Sequence, residues 1–151
     1  MSIRSWSRSA YSYHHNSTSV TSSALTTDFK VFEVGEDATN SPSSERFPDN
    51  CNIQSVEFEF TTKGSAGTVT MFLARDSAGS VGITPAGTTG ATSTITVGTV
   101  NSKGSTAFSV DNDYHFDSSV SNSKAGSIYI VAKVDNATGS PAANIRVNWR
   151  G

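Results

Sequence analysis

The sequence predicts an all-β domain, an antiparallel β-sandwich or jelly-roll-like fold of seven to eight short strands with an extended N-terminal arm. Three observations predict this fold class. Apolar residues recur at every second position in a series of short segments, and turn-forming residues separate these segments at intervals of roughly 8–15 residues. No segment has the period of a helix. A parallel sheet would need crossover helices, so antiparallel strands are expected.

The composition favours the same fold class. The chain has 151 residues, of which 35% are hydrophobic and 16% charged, and Ser, Thr, Gly, Ala and Asn are abundant. Ser, Thr and Asn bond their own backbone and disfavour helices, whereas Thr suits strands. The single cysteine, Cys51, excludes an intramolecular disulfide and is expected to be a small buried side chain rather than a nucleophile.

Residues 1–26 are predicted to form the extended arm, and residues 27–151 the sandwich domain. Ser and Thr dominate the arm, but a flexible linker would not contain a Trp and two Tyr, which are typical anchors of an extended segment on another surface. The side chains expected to contact a partner are Ile3, Arg4, Trp6, Arg8, Tyr11 and Tyr13. Two arginines and a net charge of −2 do not predict nucleic-acid binding.

The first half of the domain contains three predicted strands. Segment 28–34 follows the arm, and a polar loop over 35–50 leads to segment 53–61. In that segment apolar and polar residues alternate, which predicts a strand with one buried and one solvated face. The buried face is Val56, Phe58 and Phe60, and the solvated face is Ser55, Glu57 and Glu59. A Gly-containing turn precedes the third strand, 68–75.

The second half of the domain contains four more predicted strands. The Gly and Pro residues of 76–90 predict a long loop before strand 92–100. A short strand, 105–110, precedes a polar corner at 111–117. Segment 127–135 is the most apolar and is expected to be central, and segment 143–150 alternates Ile, Val and Trp with Arg and Asn.

Metal-binding candidates are few. His14 and His15 are adjacent, so in an extended chain their side chains point in opposite directions and would not bind the same metal ion. A structural zinc site is also not expected, because the sequence offers no cysteine ligands to accompany the histidines. Oxygen ligands for Ca²⁺ could come from loops at one end of the sandwich. These candidates are Asp76, Asp111, Asn112, Asp113, Asp117, Asp135 and Asn136. Turn formation explains the same residues more simply, so no metal or other cofactor is expected.

Catalytic candidates are equally sparse. His115 has the acidic neighbours Asp111, Asp113 and Asp117, but no Gly-x-Ser-x-Gly elbow supplies a nucleophile. Glu57 and Glu59 could form a glycosidase carboxylate pair, although two glutamates on one exposed strand face are usually solvated charge. The chain is therefore not expected to be an enzyme.

Aromatic side chains could instead stack on sugar rings, as in lectin-like sandwiches. The candidates are Tyr114, Phe116, Tyr129 and Trp149. Trp149 is in phase with Ile145 and Val147, which favours a core position for it. Glycan binding therefore stays open as an alternative.

Three segments of the C-terminal half carry a resemblance. They are TMFLARDSAGSVGITPAG (70–87), STAFSVDNDYHF (105–116) and GSIYIVAKVDNATGSPAANIRVNWR (126–150). The shared pattern is a strand ending in Arg-Asp, a Pro/Gly loop, a strand closing on Asp-x-x-Tyr, a strand with Tyr-x-x-x-Lys-x-Asp, and a last strand ending in Trp-Arg. This pattern resembles small virion structural proteins of tailed bacteriophages, of the capsid-decoration (cement) or head-fibre type.

The resemblance implies a structural protein without a cofactor, present in many copies on the capsid surface of a virion and made in the host cytoplasm. Its implied partners are the major capsid protein and sister subunits, with the chain forming a homo-oligomer. No apolar run is long enough for a membrane span or a secretion signal, so no membrane partner is expected. Two alternatives remain: a receptor- or glycan-binding sandwich of a fibre or adhesin, and a jelly-roll coat protein that forms a shell itself.

Overall fold

The computed structural model describes residues 15–35, 47–62, 68–80, 82–83, 93–96 and 105–151. These ranges contain eight strands and no helix. The strands are β1 (His15–Thr21), β2 (Lys30–Gly35), β3 (Cys51–Thr62), β4 (Thr68–Ala74), β5 (Ser93–Thr96), β6 (Ser105–Tyr114), β7 (Ser127–Val134) and β8 (Ala142–Arg150). They form two four-stranded antiparallel sheets: sheet A, in the order β1-β8-β3-β6, and sheet B, in the order β2-β7-β4-β5.

The strand order is that of a jelly roll. β1 pairs with β8, β2 with β7, β3 with β6 and β4 with β5, as if the whole chain were one long hairpin. Successive pairs lie alternately in sheet A and sheet B, and the contacts β3–β8 and β4–β7 complete each sheet. Eight strands in two sheets with this connectivity define the jelly-roll fold. The all-β, antiparallel sandwich predicted from the sequence is confirmed.

The core lies between the two sheets and follows the predicted alternation. On β3, Val56, Phe58 and Phe60 are completely buried, whereas Glu59 on the opposite face is exposed. A β-bulge interrupts this strand, because the two steps from Ile53 to Ser55 oppose a single step on β8. The extra residue keeps both Ile53 and Val56 on the core side, which a regular strand could not do.

Strand β1 is an element that the sequence did not predict. Residues 15–26, assigned above to the arm, pair and pack with the sandwich: β1 runs along β8, and Thr18, Val20 and Leu25 are buried. The buried hydroxyl of Thr18 accepts a hydrogen bond of 3.2 Å from the Trp149 indole N–H. A buried Thr in place of an aliphatic residue interrupts the apolar alternation, which is why the pattern was not visible.

Strand β6 is longer than predicted. It continues through Tyr114, so the first part of the predicted polar corner at 111–117 is a strand and not a loop. Cys51 pairs with Tyr114 at that end, and both side chains are buried. The predicted strand 92–100 is represented by β5 at 93–96, and residues 97–100 lie outside the described part of the chain.

The outer face of sheet B is unusually apolar. Phe72, Ala74, Tyr129 and Val131 form a second buried cluster on this face. Gly79, in the turn after β4, lies against it with φ of +69°, and a Cβ atom there would come within 2.9 Å of the Val131 side chain. The absence of a side chain at this position lets the turn cover the cluster.

Candidate functional site

The six arm residues proposed to contact a partner lie outside the described residues. They are Ile3, Arg4, Trp6, Arg8, Tyr11 and Tyr13, and His14 lies outside as well. What the structure describes is the point where this segment joins the body. Residues 1–14 continue directly into β1, whose first residue, His15, pairs with Arg150 on β8.

A cleft with both polar and apolar lining residues lies on sheet A where β3, β6 and β8 come together. It has a volume of about 350 Å³. Its polar lining residues are Asn50, Asn52, Asp113, His115 and Arg150. The strand register places Asn52 between Asp113 and Arg150, and its amide donates a 2.9 Å hydrogen bond to the Asp113 carboxylate. We call this feature the corner cleft.

The imidazole of His115 contacts a carboxylate that sequence reasoning did not select. Its Nδ1 lies 3.0 Å from Oδ1 of Asp49 and 3.0 Å from Oδ1 of Asn50. The Asp49 carboxylate also accepts the backbone N–H of Phe116 at 2.9 Å. The expected partners of His115 were acidic residues of its own segment. The loop before β3 supplies the contact instead, because β3 and β6 are neighbours in the sheet, a pairing that the sequence does not reveal.

This arrangement is not that of a nucleophilic enzyme. The side chains of His115 and Asp49 are 64% and 53% exposed, so the pair is solvated and weak. Cys51, the nearby thiol, is buried, and burial raises its pKa to about 11. At neutral pH it is therefore a protonated thiol, which is a poor nucleophile. The two side chains that contact the His115 imidazole are a carboxylate and an amide, not a nucleophile.

The carboxylates proposed for calcium are separated by the fold. Asp76 follows the end of β4 and Asp135 follows the end of β7, and these two strands are antiparallel neighbours, so the residues lie at opposite ends of sheet B. Asp76 is buried and accepts hydrogen bonds from the backbone and hydroxyl of Ser80. Within the described ranges no three acidic, His or Cys side chains are grouped as metal ligands would be.

Asp117, another calcium candidate, is engaged within its own turn. Its carboxylate accepts hydrogen bonds from the hydroxyl and the backbone N–H of Ser119, at 2.7 and 2.9 Å. These two bonds lower its pKa below the usual value, with the Ser119 hydroxyl as the larger cause. The bond pattern is that of an Asx turn, which explains the residue without a metal.

Three of the four aromatic residues proposed for sugar stacking are buried. Tyr114, Tyr129 and Trp149 are 2%, 1% and 7% exposed, so their rings cannot stack on a ligand, and the core position predicted for Trp149 is confirmed. Phe116 is partly buried against the core. Burial also raises the pKa of both tyrosines to about 12.

Residues of the C-terminal sequence pattern make contacts between the two sheets near His115. Arg75, at the end of β4, donates to the backbone carbonyl of His115 and lies 5.9 Å above the ring of Tyr114. The hydroxyl of Tyr114 donates to the carbonyl of Ser127 on the other sheet at 3.1 Å. The Arg-Asp and Asp-x-x-Tyr elements of the pattern therefore connect the two sheets at one end of the sandwich.

Two further residues of the pattern make contacts within a sheet, Asp135 in sheet B and Trp149 in sheet A. The Asp135 carboxylate accepts both the backbone N–H and the hydroxyl of Thr68, at 2.7 and 2.9 Å, which joins the end of β7 to the start of β4. Trp149 anchors β1 through Thr18. The pattern thus specifies how this sandwich is held together, and none of these contacts forms a ligand site.

The outer face of sheet A is polar and holds a cavity of about 290 Å³, whose charged lining residues are Glu57, Glu59 and Arg146. Glu57 is on β3, and its carboxylate lies 3.4 Å from the guanidinium of Arg146 on the neighbouring strand β8. Asn148 donates to Ser55, and Thr21 donates to Asn144, each at 3.0 Å. Glu57 and Glu59 share this face, as predicted. Glu57 is partly exposed and paired with Arg146, and Glu59 is exposed to solvent.

No family model matches the sequence, and no curated protein matches it either. Among the described residues there is no helix of the length and hydropathy needed to cross a membrane. Functional assignment therefore depends on the fold and on the residues described above.

Proposed function

We propose that this chain is a structural virion protein, a capsid decoration (cement) protein of a tailed bacteriophage that binds the major capsid protein. The observation that carries the proposal is the place where the aromatic-rich segment joins the body. Residues 1–14, with Trp6, Tyr11 and Tyr13, lead directly into β1 at the edge of sheet A. Aromatic residues that directly precede a strand at a sheet edge suit contact with a groove or strand of a neighbouring protein.

The body has properties that such a role requires. The two sheets bury one continuous core, and the contacts of Arg75 and Tyr114 join the sheets at one end. The bonds between Asp135 and Thr68 join β7 to β4 within sheet B. Jelly rolls are a recurrent fold of viral coat proteins and lectins, which favours the proposal at the level of fold analogy. On a shell with many identical sites, multivalency makes a weak contact per subunit sufficient.

The second candidate is a receptor- or glycan-binding sandwich of a fibre or adhesin. One observation favours it: the corner cleft presents amide, carboxylate, imidazole and guanidinium groups on an open surface. The burial of Tyr114, Tyr129 and Trp149 removes the aromatic platforms on which that hypothesis first depended. A glycan array with the wild-type chain and with Asn52→Ala distinguishes the two, since this candidate requires binding that the substitution weakens.

The test of the main proposal uses a deletion chosen from the structure. Removing residues 2–14 leaves β1 intact, whereas a longer deletion to residue 25 would remove β1 and Leu25 from the fold. We expect the shortened chain to keep its melting temperature and to lose binding to empty capsids assembled from the major capsid protein of the same phage. Wild-type binding by the shortened chain would contradict the role of the arm.

A matched pair of variants separates anchoring from charge. Replacing Trp6, Tyr11 and Tyr13 by Ala removes the proposed anchors, and replacing Arg4 and Arg8 by Gln removes the charge contacts. We expect the aromatic triple variant to bind capsids at least about tenfold more weakly, because buried aromatic side chains dominate contact energies. The Arg variant should differ from wild type mainly at low ionic strength.

A further inference from the structure

The charges of the chain are divided unequally between residues 1–14 and the rest. Residues 1–14 contain two arginines, Arg4 and Arg8, and no acidic residue. The other nine Lys and Arg and all 13 Asp and Glu lie in residues 15–151, which therefore have a net charge of −4. A cationic segment is attracted to any acidic surface of the same chain that it can reach.

The cavity on the outer face of sheet A, which we call the sheet A cavity, offers such a surface. Its volume is about 290 Å³, and its charged lining residues are Glu57, Glu59 and Arg146. The guanidinium of Arg146 lies 3.4 Å from the Glu57 carboxylate, so these two charges offset each other. Glu59 is exposed, and within the described part of the chain its carboxylate has no hydrogen-bond or ion-pair partner. The cavity therefore has one negative charge left over.

The surroundings of the Glu59 carboxylate suit an arginine side chain. The strand register places Asn144 between Thr21 and Glu59, so the neighbours of Glu59 in that row of the sheet are uncharged. A carboxylate with both oxygens accessible can accept two parallel N–H···O bonds from a guanidinium. The acidic residue in the row where β1 starts, Asp113, already accepts a hydrogen bond from Asn52. Glu59 is therefore the better acceptor for an arginine on this face.

The length of the segment before β1 decides which arginine can reach Glu59. Glu59 lies in the row of Thr21, six residues along β1 from His15, and two strands across the sheet, a distance of about 22 Å from His15. Arg8 is seven residue steps from His15 and Arg4 is eleven, which span at most about 25 Å and about 40 Å. The chain must also reverse direction, which uses a few steps. Arg4 reaches Glu59 with that reversal, whereas Arg8 has almost no length to spare.

We propose that residues 1–14 dock on the outer face of sheet A of their own chain, with the Arg4 guanidinium bound to the Glu59 carboxylate in the sheet A cavity. The contact requires no backbone pairing with an edge strand. Both groups are at the surface, so the ion pair is weak and is screened by salt. Attachment to the same chain gives this weak contact a high effective concentration. The segment therefore exchanges between a docked and a released state.

The inference goes beyond the proposed function and does not depend on it, because docking involves no capsid. If both hold, a capsid must displace Arg4 from Glu59 before the arm can bind it. Docking then lowers the apparent affinity for the capsid in proportion to the fraction of chains whose arm is released. Glu59→Gln, which abolishes docking, would bind capsids more tightly than wild type.

The first experiment compares backbone amide chemical shifts of the full-length wild-type chain with those of Arg4→Gln and Arg8→Gln. We expect Arg4→Gln to shift the amide signals of Glu57 and Glu59, and Arg8→Gln, which removes the same charge from the same segment, to shift them much less. The difference should disappear in about 1 M NaCl, where the Debye length is about 3 Å. Cavity signals that do not shift, or that shift equally in both variants, would overturn the inference. Shifts that grow between about 20 μM and about 500 μM protein would also overturn it, because they would assign the contact to a second copy.

The second experiment measures initial rates of trypsin cleavage after Arg4 and after Arg8 in the full chain. Glu59→Gln should raise the ratio of the Arg4 rate to the Arg8 rate at least about threefold, the effect expected of an exposed ion pair. Its control is Asp28→Asn, which removes an exposed carboxylate just before β2 on the other sheet and should leave the ratio unchanged. The same ratio in wild type and Glu59→Gln would overturn the inference. The expected ratios together with no capsid binding by any variant would contradict the proposed function and leave this inference in place.

Discussion

Thr18→Val tests whether β1 is part of the folded body. Valine has nearly the shape of threonine, so the substitution opens no cavity, but it removes the acceptor of the Trp149 indole N–H at 3.2 Å. Thr18 is completely buried and Trp149 is 7% exposed, so the indole N–H has little access to water as a replacement. An orphaned buried donor costs about 1–3 kcal/mol. For a chain of this size, a loss of about 2 kcal/mol lowers the melting temperature by about 4–8 °C.

Urea unfolding followed by far-UV circular dichroism measures this loss. Ser17→Val is the control, because Ser17 is the exposed neighbour on the same strand, and we expect it to change stability by less than about 0.5 kcal/mol. In a Trp149→Phe background, which lacks the indole donor, Thr18→Val should have a smaller effect, with a coupling energy of about 1–2 kcal/mol. If Thr18→Val unfolds like wild type, β1 is not docked on β8 as described.

Three further predictions concern other parts of the sandwich. The backbone N–H and hydroxyl of Thr68, which both donate to the Asp135 carboxylate, hold the pKa of that group below its usual value. The carboxylate therefore stabilises the fold fully at neutral pH and loses this effect as the pH falls through its lowered pKa. Asp135→Asn should lower the melting temperature at pH 7, and the difference in melting temperature from wild type should become smaller in strong acid. The Cys51 thiol is buried and has a pKa of about 11, so it should react with a thiol reagent at pH 8 only after the chain is unfolded in urea. Rapid reaction of the folded chain would show that the thiol is accessible to solvent and would contradict this prediction. Gly35 has φ of +118°, and a Cβ atom there would lie 2.2 Å from the Gly126 carbonyl oxygen. Gly35→Ala should therefore lower the free energy of unfolding by more than about 2 kcal/mol, measured by chemical denaturation. A variant as stable as wild type would contradict the description of this strand end.

The sequence predicted the strands whose burial follows hydrophobic alternation. Val56, Phe58 and Phe60 on β3 identify one face without any knowledge of the partner strands, because a side chain period of two is a local property. The bulge at Gln54 could not be predicted in the same way, since it exists only relative to the register of β8. The fold class is predicted from many such local signals, so the prediction remains correct when a few strands are missed.

The contacts of the candidate site were less predictable, because they depend on strand order. His115 meets Asp49 across the β3–β6 pair, 66 positions earlier in the chain, and Arg75 meets Tyr114 across the two sheets. A sequence indicates which side chains can titrate or stack, but not which of them a jelly roll brings together. Tyr114 illustrates the consequence: its aromatic ring suggested a sugar platform, whereas the fold uses its hydroxyl to bond Ser127.

The low hydrophobicity of β1 explains both why the sequence did not predict this strand and how the fold holds it. A strand that buries only Val20 as an aliphatic side chain has little hydrophobic signal, so its position depends on pairing with β8 and on the Thr18–Trp149 hydrogen bond. Both contacts are made with residues of the last strand, at the other end of the chain. A local sequence pattern could therefore not have predicted them, because they exist only once the two ends of the chain are brought together in sheet A.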